Sequence, residues 1–124
     1  MYRILVNILL LLVASIFTDT ALASSPKEEL IGLWSFKRGI GGPCAAQILE
    51  LKYSFYKSGR YHSKAKMSTG AVFEYSGTYT ATDTTTTAFV DNQKIGPYPY
   101  EIKGDILLIR QPEFNCAVEM VRED

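Results

Sequence analysis

Apolar side chains recur at every second position through most of the chain after Leu33, and this period limits the possible folds more than any other feature. It is clearest in residues 47–56, where polar residues separate the apolar side chains of Leu49, Leu51, Tyr53 and Phe55. A period of two places successive side chains on opposite faces of a β-strand. Turn residues recur about every ten residues, which is typical of an all-β sandwich or barrel.

The pattern predicts eight strands joined mostly by short turns. They span residues 33–37, 47–56, 60–67, 71–82, 84–90, 100–103, 105–111 and 116–122. A short helix is predicted before them, capped by Ser25 and ended by Gly32, and the Pro-Gly cluster at 96–99 is predicted to be a loop or an edge. Eight strands in so few residues favour a small up-and-down antiparallel barrel, closed by pairing the first strand with the last.

The first 23 residues have the features of a signal peptide. Residues 4–17 are almost wholly apolar and follow the single positive charge of Arg3, and residues 21–23 (Ala-Leu-Ala) form a small-x-small cleavage site before Ser24. An uncleaved membrane anchor is the alternative. We expect residues 24–124 to form one secreted or periplasmic domain that is not stably inserted in a membrane after cleavage.

The chain has two cysteines, Cys44 and Cys116, and both follow the predicted cleavage site. An oxidising compartment favours a disulfide between them. A reactive or metal-binding thiol pair is the alternative, but neither a CxxC spacing nor a cluster of histidines accompanies these residues.

Gly32-Leu33-Trp34, placed after a short helix at the start of the first strand, resembles the Gly-x-Trp signature of the lipocalin and calycin group. Residues 55–61, 75–79 and 100–107 resemble the recurring turns of small bacterial lipocalin-like domains. The resemblance implies an eight-stranded barrel in which Trp34 lies at the closed end under an arginine from the last strands. By position that arginine is Arg122 or Arg110.

A second resemblance is to the small periplasmic inhibitors of secreted metalloproteases, which are also eight-stranded barrels with an initial helix and a Gly-x-Trp strand. In that family the N-terminal tail enters the protease cleft, a role that Ser24-Ser25-Pro26 could have here. Their disulfide closes a short span, whereas Cys44 and Cys116 are 72 residues apart.

Catalytic groups cannot be assembled from the sequence. His62 is the only histidine and is predicted on the solvent face of its strand, so we expect no enzyme, no metal site and no cofactor. The glycines of residues 39–42 lack the Lys-Ser/Thr and following helix of a phosphate loop, and we expect a flexible loop at the barrel rim.

Aromatic residues occupy most of the predicted inward positions. These are Tyr53, Phe55, Tyr61, Phe73, Tyr75 and Tyr79, with Tyr98 and Tyr100 expected nearby. Buried hydroxyls need hydrogen-bond partners. They could bond to each other and to trapped water in a solid core, or they could face a pocket that holds a small amphipathic molecule.

Thirteen basic and thirteen acidic residues give the chain no net charge, which argues against a nucleic-acid partner. The strand pair around Lys52 and Lys64 is locally basic, and it could dock an anionic partner or be a solvated face.

From the predicted barrel and its aromatic interior we expect a non-enzymatic binding module with a small amphipathic ligand. A protein-interaction or protease-inhibitor barrel, acting through its loops or tail, is the alternative, and the sequence leaves the oligomeric state open.

Overall fold

Alternating apolar and polar residues form eight antiparallel strands that close into a barrel. The computed structural model describes residues 24–123. Each strand pairs with its neighbours in chain order and β1 pairs with β8, which confirms the predicted up-and-down barrel with its short N-terminal helix. The predicted signal peptide, residues 1–23, lies outside the described residues and stays a prediction.

The chain runs through two short helices and eight strands. Its elements are α1 (Pro26–Glu29), β1 (Gly32–Ile40), α2 (Gly42–Gln47), β2 (Ile48–Phe55), β3 (Arg60–Met67), β4 (Val72–Ala81), β5 (Thr85–Val90), β6 (Gln93–Lys103), β7 (Ile106–Gln111), a 3₁₀ turn (Pro112–Phe114) and β8 (Cys116–Arg122). We call the end near α1 the lower end of the barrel and the end near α2 the upper end.

The lower end is closed by Trp34, which is completely buried. Its indole Nε1 donates a hydrogen bond to the Leu30 carbonyl at 2.9 Å. The Arg122 guanidinium lies 4.2 Å from the centre of the Trp34 ring and donates to the carbonyls of Ile31 (3.1 Å) and Glu29 (2.7 Å). Arg122 thus satisfies carbonyls at the end of α1.

Arg110 does not take this position. It is exposed on β7 near the upper end, where it pairs with Ala117 of β8. Gly32 has a φ of +141°, and a Cβ at this residue would lie 3.0 Å from an Arg122 nitrogen. Glycine at position 32 therefore permits both the backbone conformation and the approach of Arg122.

The region after the first strand differs from the prediction. β1 continues to Ile40, and residues 42–47 form helix α2, although the sequence predicts Gly42 in a loop and Gln47 at the start of a strand. Gly39 lies in the strand rather than in a flexible loop, and a Cβ there would lie 1.9 Å from the Cys44 carbonyl oxygen. The glycine thus lets α2 rest directly on β1.

Cys44 and Cys116 form the predicted disulfide, with their Cα atoms 5.8 Å apart. Cys44 lies in α2 and not at the start of the second strand, while Cys116 is the first residue of β8. The bond therefore fastens α2 to the upper end of the last strand.

Two other strand predictions are wrong in detail. Leu49 is 54% exposed instead of inward, because the β2–β3 register shifts between Ile48 and Glu50 and turns Ile48 toward the interior. The cluster at residues 96–99 lies within β6 rather than in a loop or an edge. The β5–β6 register shifts between Thr86 and Ala88, which accommodates Pro97 and Pro99 in the ladder.

Replacing Arg122 by Met should lower the free energy of unfolding by about 3 kcal/mol, because two carbonyls lose a charged hydrogen-bond donor and Trp34 loses its cation. Arg110→Met is the matched control, and its expected effect is within about 0.5 kcal/mol. Urea denaturation of both variants measures the difference. Equal losses would contradict the role assigned to Arg122.

Replacing Cys44 and Cys116 together by Ala should lower the free energy of unfolding by about 4 kcal/mol, because the open chain gains loop entropy when unfolded. The strand pairings do not depend on the bond, so circular dichroism at low temperature should be unchanged. If the oxidised wild type and the double variant had equal denaturation midpoints, the bond would not stabilise the barrel.

Candidate ligand-binding site

A cavity of about 250 Å³ occupies the upper half of the barrel. Its wall is mainly aliphatic and aromatic. The aromatic lining residues are Tyr53, Phe55, Tyr61, Tyr75, Tyr98 and Phe114, and the polar ones besides tyrosine are Ser63, Thr86 and Gln111. Among residues 24–123, no Lys, Arg, His, Asp or Glu lines this cavity.

The cavity exists because β3 and β5 each place two small side chains inward in succession. On β3 the inward residues are Tyr61, Ser63, Ala65 and Met67, as the alternation predicts, and all four line the cavity. On β5 the lining residues are Thr86 and Ala88. Such short side chains cannot reach the centre of an eight-stranded barrel, so they leave its upper half open.

The lower half is filled. Trp34, Leu107 and Met120 are completely buried there, and Phe55 packs edge-on against Tyr79 with their ring centres 5.0 Å apart. Both alternatives for the aromatic interior are therefore partly realised, with a solid core below and a cavity above.

Tyr79 and Tyr100 belong to the solid half and are not among the residues that line the cavity. The Tyr79 hydroxyl donates to the Tyr56 carbonyl at 2.9 Å, and the Tyr100 hydroxyl donates to the Thr82 carbonyl at 2.6 Å. Because both hydroxyls already donate to the backbone, these tyrosines hold the lower turns in place.

Phe73 and Tyr75 lie at the rim. Their rings are stacked, with an angle of 3° and a centroid distance of 6.4 Å, and they are 45% and 42% exposed. The β4–β5 ladder covers only residues 78–81 of β4, so the upper part of β4 has no neighbour on that side. Tyr75 lines the cavity and Phe73 does not.

Tyr53 and Tyr61 come together inside the cavity, with their ring centres 6.1 Å apart. Burial raises the pKa of the Tyr53 hydroxyl, and the nearby Tyr61 and Tyr98 raise it further. Burial also raises the pKa of Tyr61, although a hydrogen bond with Ser63 acts in the opposite direction. Both hydroxyls are therefore neutral across the physiological range.

Tyr98 lies near the mouth of the cavity. Burial raises the pKa of its hydroxyl, and the hydrogen bond and negative charge of Glu113 raise it further. Glu113 belongs to the 3₁₀ turn that also carries Phe114, an exposed lining residue. Alternation did not reveal Phe114 as a lining residue, because it lies outside the strands. Thr86 and Ala88, by contrast, could have been found from the period of β5.

A second cavity of about 650 Å³ lies beside the first, where β1 and β2 separate above Ser35. Its cationic lining residues, Lys52, Lys64 and Lys66, belong to the strand pair that the sequence marked as basic. Lys52 lies 3.4 Å from Glu123, so the basic strands meet an acid of the C-terminal segment.

His62 lies on the outer face, where its Nε2 is 2.9 Å from an oxygen of Glu74. This hydrogen bond holds the pKa of Glu74 below its usual range. Within residues 24–123, no three His, Cys, Asp or Glu side chains are placed to share a metal ion. The same part of the chain contains no helix with the length and apolar character needed to cross a membrane.

Comparisons with protein-family models, with curated proteins and with solved structures found no match for this chain.

The buried tyrosines predict a loss of stability at alkaline pH. Burial, and after it the negative charges of Asp83 and Glu29, raise the pKa of Tyr100 to about 12. In the unfolded chain a tyrosine loses its proton near pH 10. Between about pH 10 and 12 the unfolded state therefore binds fewer protons than the folded state, and stability falls as the pH rises.

Urea midpoints measured at several values from pH 9 to 11.5 test this prediction. The midpoint of Tyr100→Phe should fall less steeply with pH than that of the wild type. Tyr56→Phe, at an exposed tyrosine, is the control and should keep the wild-type slope. Identical slopes for Tyr100→Phe and the wild type would contradict the prediction.

Proposed function

We propose that this chain is a secreted or periplasmic, lipocalin-like barrel that binds a small amphipathic molecule in its upper cavity and performs no catalysis. The observation that carries the proposal is the cavity itself, a mainly apolar space with tyrosine hydroxyls in its wall. Binding sites for small molecules usually have this character: an apolar concave surface with a few polar groups that orient the ligand.

The volume limits the size of the ligand. A cavity of about 150 Å³ in another protein holds benzene, whereas drug-sized ligands fill about 300–1,000 Å³. The cavity here measures about 250 Å³. A ligand of about ten to fifteen non-hydrogen atoms fits between these limits.

Two observations support the lipocalin-like character and the compartment. Trp34 lies under Arg122 at the closed end of the barrel, as the resemblance implies. The disulfide between Cys44 and Cys116 favours an oxidising compartment, in agreement with the signal peptide predicted for residues 1–23.

An interaction barrel that binds another protein through its loops is a second candidate. The exposed apolar residues at and near the rim favour it: Val72, Phe73, Tyr75 and Phe114. Exposed apolar residues grouped around a concave surface are common at protein interfaces. A protein bound at the rim would contact these side chains and would not need the interior.

Replacing Ala88 by Phe should abolish small-molecule binding, because the ring fills space that Ala88 leaves open inside the cavity. Calorimetric titration with 2-naphthamide, an uncharged molecule of suitable size, measures the effect. The expected loss of affinity is at least about tenfold, or about 1.4 kcal/mol.

Lys94→Phe is the matched control, since Lys94 is exposed on the neighbouring strand and pairs with Phe89 on the outer face. This variant should bind like the wild type. Thermal denaturation of both variants checks that the barrel is intact. Absence of saturable binding to the wild type, or unchanged binding to Ala88→Phe, would contradict the proposed function.

A further inference from the structure

We propose that the upper cavity selects uncharged ligands: a largely apolar molecule with a hydroxyl, amide or carbonyl group, in preference to carboxylates, phosphates and ammonium ions. This inference rests on the proposed function and specifies the chemical class of its ligand. It follows from three properties of the cavity: the absence of Lys, Arg, His, Asp and Glu from its described wall, the position of the neighbouring charges, and the arrangement of the tyrosines.

The strand period keeps the cations outside. On β3 the inward residues Ser63, Ala65 and Met67 line the cavity, and Lys64 and Lys66 alternate with them on the opposite face. Lys52 lies next to Lys64 in the β2–β3 ladder and pairs with Glu123. An anion in the cavity would thus lose its water without gaining a cationic partner, which is unfavourable.

An acid, Glu113, lies beside Tyr98 near the mouth. Glu113 lies close enough to Tyr98 to interact with its hydroxyl. A carboxylate or phosphate that entered beside Tyr98 would meet this negative charge before it reached the interior. The mouth and the wall therefore act in the same direction against anions.

The ring arrangement disfavours cations as well. Aromatic cages bind ammonium groups when ring faces surround an open centre. Here the rings of Tyr53, Phe55 and Tyr61 contact each other, with centroid distances from 5.6 to 6.1 Å. They form one continuous patch of wall and leave no slot between them, and the remaining wall includes aliphatic residues such as Leu51 and Ile109.

The tyrosine hydroxyls supply the polar contact. Those of Tyr79 and Tyr100 donate to backbone carbonyls, whereas within residues 24–123 no hydrogen bond joins the Tyr53 hydroxyl to another group of the protein. The Tyr53 hydroxyl is therefore available to a guest. Burial keeps it protonated, so it can donate to a carbonyl or accept from a hydroxyl, but it offers no charge to balance an ion.

Three compounds with the same ring system test the inference: 2-naphthamide, 2-naphthoate and 2-naphthylmethylammonium. They are titrated calorimetrically into the wild-type protein at pH 7.4. The amide should bind at least about tenfold more tightly than either ion. Equal affinities, or tighter binding of either ion, would overturn the selectivity and leave the proposed function standing. If none of the three bound, both would fail.

Met67→Lys adds a cation to the cavity wall at little change in side-chain length. It should raise the affinity for 2-naphthoate at least about fivefold relative to the wild type. Val72→Lys is the matched control, because it adds the same charge on the exposed outer face near the mouth. If both variants improved naphthoate binding equally, long-range attraction and not the neutral wall would govern selectivity, and the inference would be wrong.

Discussion

The contact between Arg122 and Trp34 connects three parts of the fold at one point. Trp34 pairs with Arg122 across the β1–β8 ladder, which closes the barrel. The Arg122 guanidinium also lies over the Trp34 ring and donates to carbonyls at the end of α1. Because the indole is completely buried, its Nε1 needs the Leu30 carbonyl as an acceptor. Closure of the sheet, position of the helix and filling of the lower end therefore depend on each other.

Filling one end of the barrel determines where a cavity can form. The β1–β2 ladder covers only Gly32–Ser35 of β1, and the β4–β5 ladder covers only residues 78–81 of β4, so both seams are tightly paired low in the barrel. Above them the strands separate and the interior side chains become small. The disulfide and α2 lie at this upper end, where the bond fastens α2 to the first residue of β8.

The sequence predicted the strand count, the closure and the disulfide, because each follows from a repeated or chemically specific signal. The predicted inward positions were wrong where one residue interrupts the two-residue period. A register shift exchanges Ile48 for Leu49 at the inward position, and no pattern on β2 alone indicates it. Tyr75 lines the cavity and Tyr79 does not. This difference depends on the length of the β4–β5 ladder, which is a property of two strands together.

The same period that builds the barrel also separates its charges from its interior. The lysines on the outer face of β3 line the second cavity and not the first. At an effective dielectric constant of about 20, a cation about 10 Å from an anion attracts it by at most about 2 kcal/mol. Removing a carboxylate from water costs several kcal/mol. Salt weakens the attraction further at this distance, since the Debye length is about 8 Å at physiological ionic strength. The basic outer face therefore attracts anions to the surface but does not stabilise them inside the cavity. The uncharged wall determines which ligand binds.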